Sequence, residues 1–291
     1  MLHITQFRRI HQRPFMLTCL AICLMLVNAA ATYAQVFSQA TGTKGDIFRL
    51  EPYKPLYFIG AFDRTLDTQD PTLQKVEVQF QLSFKIPIST LPFWNGRAAV
   101  GYTQVSYWQM FNTDYSSPFR ETNYAPEVMA VFENDSTMLG LERIRTVVSF
   151  IHQSNGRGGL DSRSWNRLYA EAKLDWEQVT IGLKPWYRIP ESAKKLSTDA
   201  RGDDNPDISR FLGYGELTAE YRHKAFSVMM TARDNLRSQD NRGSLQLDLA
   251  FPIRNDVSFY IQVFDGYGES LIDYNRYSSR IGAGFMVGRF Q

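Results

Sequence analysis

Cysteine is almost missing from the 291 residues: only Cys19 and Cys23 occur, both near the N-terminus. A scaffold held by disulfides is thereby excluded. Long apolar runs are equally scarce. The longest, Phe15 to Val27, has 13 residues, fewer than the roughly 20 a helix needs to cross a bilayer. With a mean hydropathy of −0.31, a bundle of transmembrane helices is excluded too. No phosphate loop, dinucleotide fingerprint or zinc-type spacing is found.

The N-terminal segment reads as an export signal. Arg8, Arg9 and Arg13 precede the apolar run, and Ala29, Ala30, Ala31 and Ala34 follow it. A basic region, a short apolar region and a small-residue exit form a secretory signal peptide. Cleavage is expected after Ala34, with Ala31 the second choice; a mitochondrial transit peptide lacks support, because an amphipathic arginine pattern is absent. Residues 35–291 then carry 29 basic and 30 acidic side chains and no cysteine. That balance gives no basic surface for nucleic acid.

What remains is alternation. Val76, Val78, Phe80, Leu82, Phe84 and Ile86 alternate with Glu77, Gln79, Gln81, Ser83 and Lys85. Leu245 to Ile253, Val257 to Val263 and Ile281 to Val287 repeat the pattern. Period two means strands with one apolar face. Twelve such segments are expected, near 55–63, 75–87, 97–110, 124–133, 141–153, 164–175, 177–189, 208–222, 225–234, 243–253, 256–266 and 278–290. Strands of about 9–11 residues, even in number, suit an outer-membrane barrel; a secreted β-sandwich is the alternative. The fold class read here is all-β, a twelve-stranded antiparallel transmembrane β-barrel. Trp94, Trp108, Trp176, Trp186, Tyr267 and Tyr274 fall near segment ends, where interfacial girdles would lie.

Histidine is also rare: beyond the leader only His152 and His223 remain. His223 sits in a polar turn. His152 and Ser154 share the parity of Ile144, Val148 and Phe150, so both are expected on the lipid side. Asn166 shares the parity of Leu168 and Leu174 and is brought beside them by a hairpin. A nucleophile, a base and an orienting amide would form a triad; an accidental polar trio at an interface is the alternative. Gln104, on the same face as Val100, Tyr102 and Trp108, needs a hydrogen-bond partner in hydrocarbon. Its own copy across a two-fold axis is the expected one; a break of parity at a bulge near Gln104 is the alternative.

His152-Gln153-Ser154-Asn155-Gly156-Arg157 with Ser162-Arg163-Ser164-Trp165-Asn166-Arg167 resembles the signature of outer-membrane phospholipase A, the phospholipase A1 family. Ser116 to Tyr124, Asp203 to Asp207 and Gly266 to Tyr274 resemble it as well. The likeness covers essentially the whole mature chain. It implies a calcium-dependent phospholipase A1/A2 of the bacterial outer membrane, acting on phospholipid as a homodimer. Carried over by residue, it implies Ser154 as nucleophile, His152 as base, Asn166 as third triad member and Gly156 N–H at the oxyanion. It implies calcium ligands at Ser162, the carbonyl of Arg157, Asp204, and Ser116 of a second subunit. Gly159 stands where family members can carry an acid; Asp161 is the candidate replacement, and a weak or absent secondary calcium site is the alternative. A passive pore and an acyltransferase of the same membrane are the rival readings.

Overall fold

The computed structural model describes residues 49–290 except 94, 200 and 255. The expected leader and Trp94 lie outside the described residues. Twelve antiparallel strands close on themselves, and a two-residue strand, Glu51–Pro52, adds to the sheet by pairing with Lys85 and Phe84. In chain order the twelve are β1 Leu56–Asp63, β2 Val76–Thr90, β3 Gly96–Trp108, β4 Phe119–Asp135, β5 Arg143–Ser154 and β6 Ser164–Asp175. Then follow β7 Val179–Ile189, β8 Gly215–His223, β9 Phe226–Asp234, β10 Gly243–Arg254, β11 Val257–Gly266 and β12 Ser278–Val287. Each strand pairs with its sequence neighbours, and β12 pairs with β1 from Arg280↔Asp63 to Val287↔Leu56. No edge is left, so a sheet of this kind satisfies its backbone in lipid. The closure removes the sandwich alternative.

Alternation sets what faces each side. On β5, Val148 and Phe150 are 50% and 42% exposed, whereas Val147, Ser149 and Ile151 are buried. Leu168, Leu183, Leu217, Leu245 and Ile281 continue the outward apolar band. A soluble monomer rarely exposes such a continuous band; hydrocarbon is its natural solvent. The lumen is polar and crossed by ion pairs, around an internal cavity of about 340 Å³. Arg120 meets Glu77 at 2.7 Å and Arg280 meets Glu269 at 2.7 Å, all four with side chains at most 4% exposed. Arg145 pairs with Glu133 at 3.0 Å and Lys173 with Glu171 at 3.5 Å. Arg167 stacks on Trp165, 3.8 Å from the ring centre.

One end has short turns and the other long loops, the arrangement of outer-membrane barrels, whose longer loops face outward. The loop between β11 and β12 folds into the lumen at the long-loop end. Tyr107 donates to the Glu269 carbonyl at 2.6 Å. Leu271 N–H donates to Asn123 Oδ1 at 3.0 Å, and Ile272 N–H to Glu121 Oε1 at 3.1 Å. The Gly266 to Tyr274 motif is therefore a plug.

Two expectations need correction. The segment near 208–222 is not one strand: Ile208–Leu212 forms a short helix, α1, and β8 starts only at Gly215. Ile208, Phe211 and Leu212 are buried on one helical face, and Gly213 at φ +71 breaks the chain direction. Trp186 and Tyr274 do not belong to a girdle. Both are buried inside: Trp186 meets Trp165 edge-on at 6.3 Å, and Tyr274 meets Phe211 at 5.6 Å. Trp108 stacks on Phe119 at 5.5 Å where β3 and β4 end.

Candidate active site on the lipid-facing wall

The site forms at the long-loop end of β5 and β6. The β5–β6 register puts His152 directly opposite Asn166 and Ser154 opposite Ser164. Both side chains of the first pair point outward, because they share the apolar parity. His152 Nδ1 lies 2.9 Å from Asn166 Oδ1. Ser154 stands two residues on, about 6.6 Å along the strand at ~3.3 Å per residue, on the same face. Among the described residues its hydroxyl makes no hydrogen bond to the imidazole. Catalytic bonds of this kind commonly tighten only with substrate bound.

The loop after Ser154 is held by a buried amide. Asn155 Oδ1 accepts from Arg157 N–H at 3.3 Å and Arg163 N–H at 3.0 Å. Its Nδ2 donates to the Asp161 carbonyl at 2.8 Å. Gly156 turns at φ +66, and a Cβ there would lie 3.0 Å from the Tyr124 ring. Glycine both adopts that turn and leaves room for it. The Arg157 guanidinium donates to the Arg120 carbonyl and lies 3.4 Å from Glu121 Oε2.

The Asp203-to-Asp207 segment supplies the floor. Asp204 Oδ2 accepts from Ser162 at 2.9 Å and from Ser164 at 3.1 Å. The fully buried Asn205 accepts Ser164 N–H at 3.1 Å. Asp203 pairs with Arg188 at 2.6 Å. Lys194 Nζ sits against the other Asp204 oxygen, both side chains nearly buried. Three of the expected calcium ligands, Arg157, Ser162 and Asp204, are thus on adjoining loops. Ser116 is not joined to them by any hydrogen bond among the described residues. It is exposed on the β3–β4 loop, in left-handed conformation with Ser117, at φ +58 and +48. Such strain in consecutive non-glycine residues is characteristic of functional loops.

The donor set fits calcium in chemistry, with hydroxyl, carboxylate and carbonyl oxygens, although Lys194 already neutralises the one carboxylate, Asp204. Asp161 is the candidate replacement for an acid at Gly159. It is largely exposed and faces Arg157 at 3.8 Å, not Asp204. Gln104 also has partners within its own chain. Tyr102 OH donates to its Oε1 at 2.9 Å and its Nε2 to Ser106 Oγ at 3.0 Å.

Relatives resolve which family built this wall. The family described as Phospholipase A1 matches residues 34–287. The chain belongs to the phospholipase A1 family. It is 34% identical to the phospholipase A1 of Escherichia coli K12 over 275 residues, 89% of each chain. It is 32% identical to that of Klebsiella pneumoniae, covering 93% of this chain and 97% of the other. The solved outer membrane phospholipase A from Escherichia coli matches at a TM-score of 0.74 and 34% identity, covering 82% and 94% of the two chains. A Salmonella typhi outer membrane phospholipase dimer with bound calcium matches at 0.73 and 34%, covering 84% and 94%. A further match is an Escherichia coli active-site mutant in which an asparagine is replaced by alanine.

Sequence reasoning missed Asn155, Glu121, Asn205, Lys194 and Glu191, whose Oε1 accepts from Asn166 Nδ2 at 3.1 Å. Asn205 carried a signal, being inside the Asp203-to-Asp207 motif. Asn155 and Glu121 carried one too, inside the His152-to-Arg157 and Ser116-to-Tyr124 motifs; Lys194 and Glu191 depend on which loops meet, which periodicity does not encode.

Proposed function

We propose that residues 35–291, after removal of 1–34 as an export signal, form a calcium-dependent outer-membrane phospholipase A, active as a homodimer on phospholipid. The observation that carries the reading is the His152–Asn166 pair beside Ser154 on a lipid-facing wall. A substrate already in the outer leaflet reaches it without leaving the membrane. The imidazole Nε2 takes the Ser154 proton as Oγ attacks an acyl ester carbonyl, and returns it to the departing lysophospholipid oxygen. Water, deprotonated by His152, then releases the fatty acid from Ser154. Asn166 keeps the imidazole in one tautomer. The Gly156 N–H faces the oxyanion. A bound calcium would supply positive charge for the developing oxyanion; the carbonyl of Arg157, Ser162, Asp204 and a second subunit's Ser116 would hold it. The asparagine-to-alanine active-site mutant among the relatives supports the role given to Asn166.

The test is fatty-acid release from mixed phospholipid–detergent micelles, with calcium and with chelator. Release should require calcium and vanish in Ser154→Ala, whose barrel still folds because strand pairing uses backbone. Turnover in Ser154→Ala close to the parent's would remove the serine from the mechanism.

A further inference from the structure

We infer that Glu191 is a positioning residue for this triad, setting the orientation of the Asn166 amide and, through it, the tautomer of His152. The inference rests on the Ser154–His152–Asn166 reading. Glu191 follows β7 directly. Ile189 is the register partner of Asn166, Pro190 ends the ladder by lacking an N–H, and Glu191 then turns back to Asn166. Its Oε1 lies 3.1 Å from Asn166 Nδ2, while Asn166 Oδ1 lies 2.9 Å from His152 Nδ1.

The chemistry of the three groups allows one arrangement. An ionised carboxylate only accepts hydrogen bonds. Asn166 must therefore present its NH2 to Glu191, and its oxygen is left for the imidazole. An amide oxygen only accepts, so His152 must carry its proton on Nδ1. The lone pair is then on Nε2, the nitrogen that serves as base. Without Glu191, the amide is free to flip, since its NH2 and oxygen ends are similar in size. A flipped amide offers a donor to Nδ1 and selects the wrong tautomer. The side-chain amide in place of a carboxylate thus gains from Glu191 the directionality it lacks by itself.

Steady-state kinetics in calcium-loaded mixed micelles test this with variants at two positions. Glu191→Ala should lower kcat about tenfold, less than the roughly 10²–10⁴-fold a general base supplies, with KM within about twofold of the parent. In an Asn166→Ala background the same change should cost nothing further, because nothing is left to orient. The decisive pair is Asn166→Asp with Glu191→Gln. Asn166→Asp alone sets two carboxylates together and should lose activity. Adding Glu191→Gln supplies a donor to the new carboxylate and should recover at least severalfold. Heat-modifiable gel mobility reports whether each barrel has folded. Glu191→Ala equally costly with and without Asn166, or Glu191→Gln failing to rescue a folded Asn166→Asp, overturns the inference. Activity surviving in Ser154→Ala instead overturns the triad reading itself, so the two failures are distinct.

Discussion

At the scale of single residues, His152 and Asn166 have separable tasks. His152 moves a proton; Asn166 only aims the ring. His152→Ala should therefore cost about 10²–10⁴-fold in kcat and Asn166→Ala clearly less, measured as fatty-acid release from mixed micelles. An asparagine variant deader than the histidine variant would reverse the roles. Lys194 gives a second residue-level outcome. Its ammonium neutralises Asp204, the carboxylate that also holds Ser162 and Ser164. Gly202, at φ +111, packs against it so closely that a Cβ would come within 2.8 Å of Lys194 Cγ. A divalent ion approaching Asp204 meets an internal cation already in place. Lys194→Met should tighten calcium binding by about tenfold, since close opposite charges near a surface interact by a few kcal/mol and part of that is screened. Calorimetric calcium titration of detergent-solubilised protein reads it; unchanged affinity would show that Lys194 and calcium do not compete.

At the scale of elements, the corner between α1 and β8 is set by backbone conformation. Gly213 has φ +71, and a Cβ there would lie 2.1 Å from the Asp234 carbonyl oxygen. Gly140 has the same φ of +71 with nothing within 4 Å. Gly140→Ala should therefore cost about 1 kcal/mol, the left-handed penalty alone. Gly213→Ala should cost about 3 kcal/mol or more, because a backbone clash is added to it. Urea unfolding in micelles compares the pair, and equal losses would mean that the corner relaxes freely. The same corner shows where the sequence stops being legible. Strands between lipid and lumen alternate strictly, so β1, β6 and β9 begin or end within a residue or so of expectation. Around Ile208 to Leu212 five residues are too few to separate a period of 3.6 from one of 2, and the helix forms under the plug. Trp186 misleads for a related reason. Its place near a strand end suggests an interface, but its parity with Lys184 turns it into the lumen. The His152–Asn166 pair was legible because it follows from parity and one hairpin. Glu191 was not, because its contact depends on how Pro190 redirects the chain.

At the scale of the whole molecule, the ion pairs across the lumen and the exposed Ser116 point in one direction. Arg120, Arg276 and Arg280 with Glu77, Glu269 and Asp273 cross the long-loop end, and the plug loop closes over them. Transport does not need so much buried charge; an enzyme that works on its outer wall needs a rigid wall behind it. The remaining gap is at Ser116, strained and exposed on its loop, with no hydrogen bond to Arg157 or Ser162 in its own chain. Gln104 uses one acceptor site on Tyr102 and one N–H on Ser106 within its own chain, which leaves its second N–H for a partner across a two-fold axis. A shared cation is a second link. If Ser116 of one subunit completes the site that Arg157 and Ser162 begin in the other, calcium binds the dimer more tightly than the monomer. Reciprocity then requires calcium to promote dimerisation by the same free energy. Chelation should shift the detergent-solubilised protein toward monomer and abolish activity together, while protein acylated on Ser154 should resist the shift, its acyl chain lying against both subunits. Ser116→Ala should weaken both effects without unfolding the barrel. Analytical ultracentrifugation across a calcium titration decides the matter: a monomer–dimer balance indifferent to calcium, with hydrolysis still calcium-dependent, would confine the ion to one subunit and leave the strained Ser116 loop without this role.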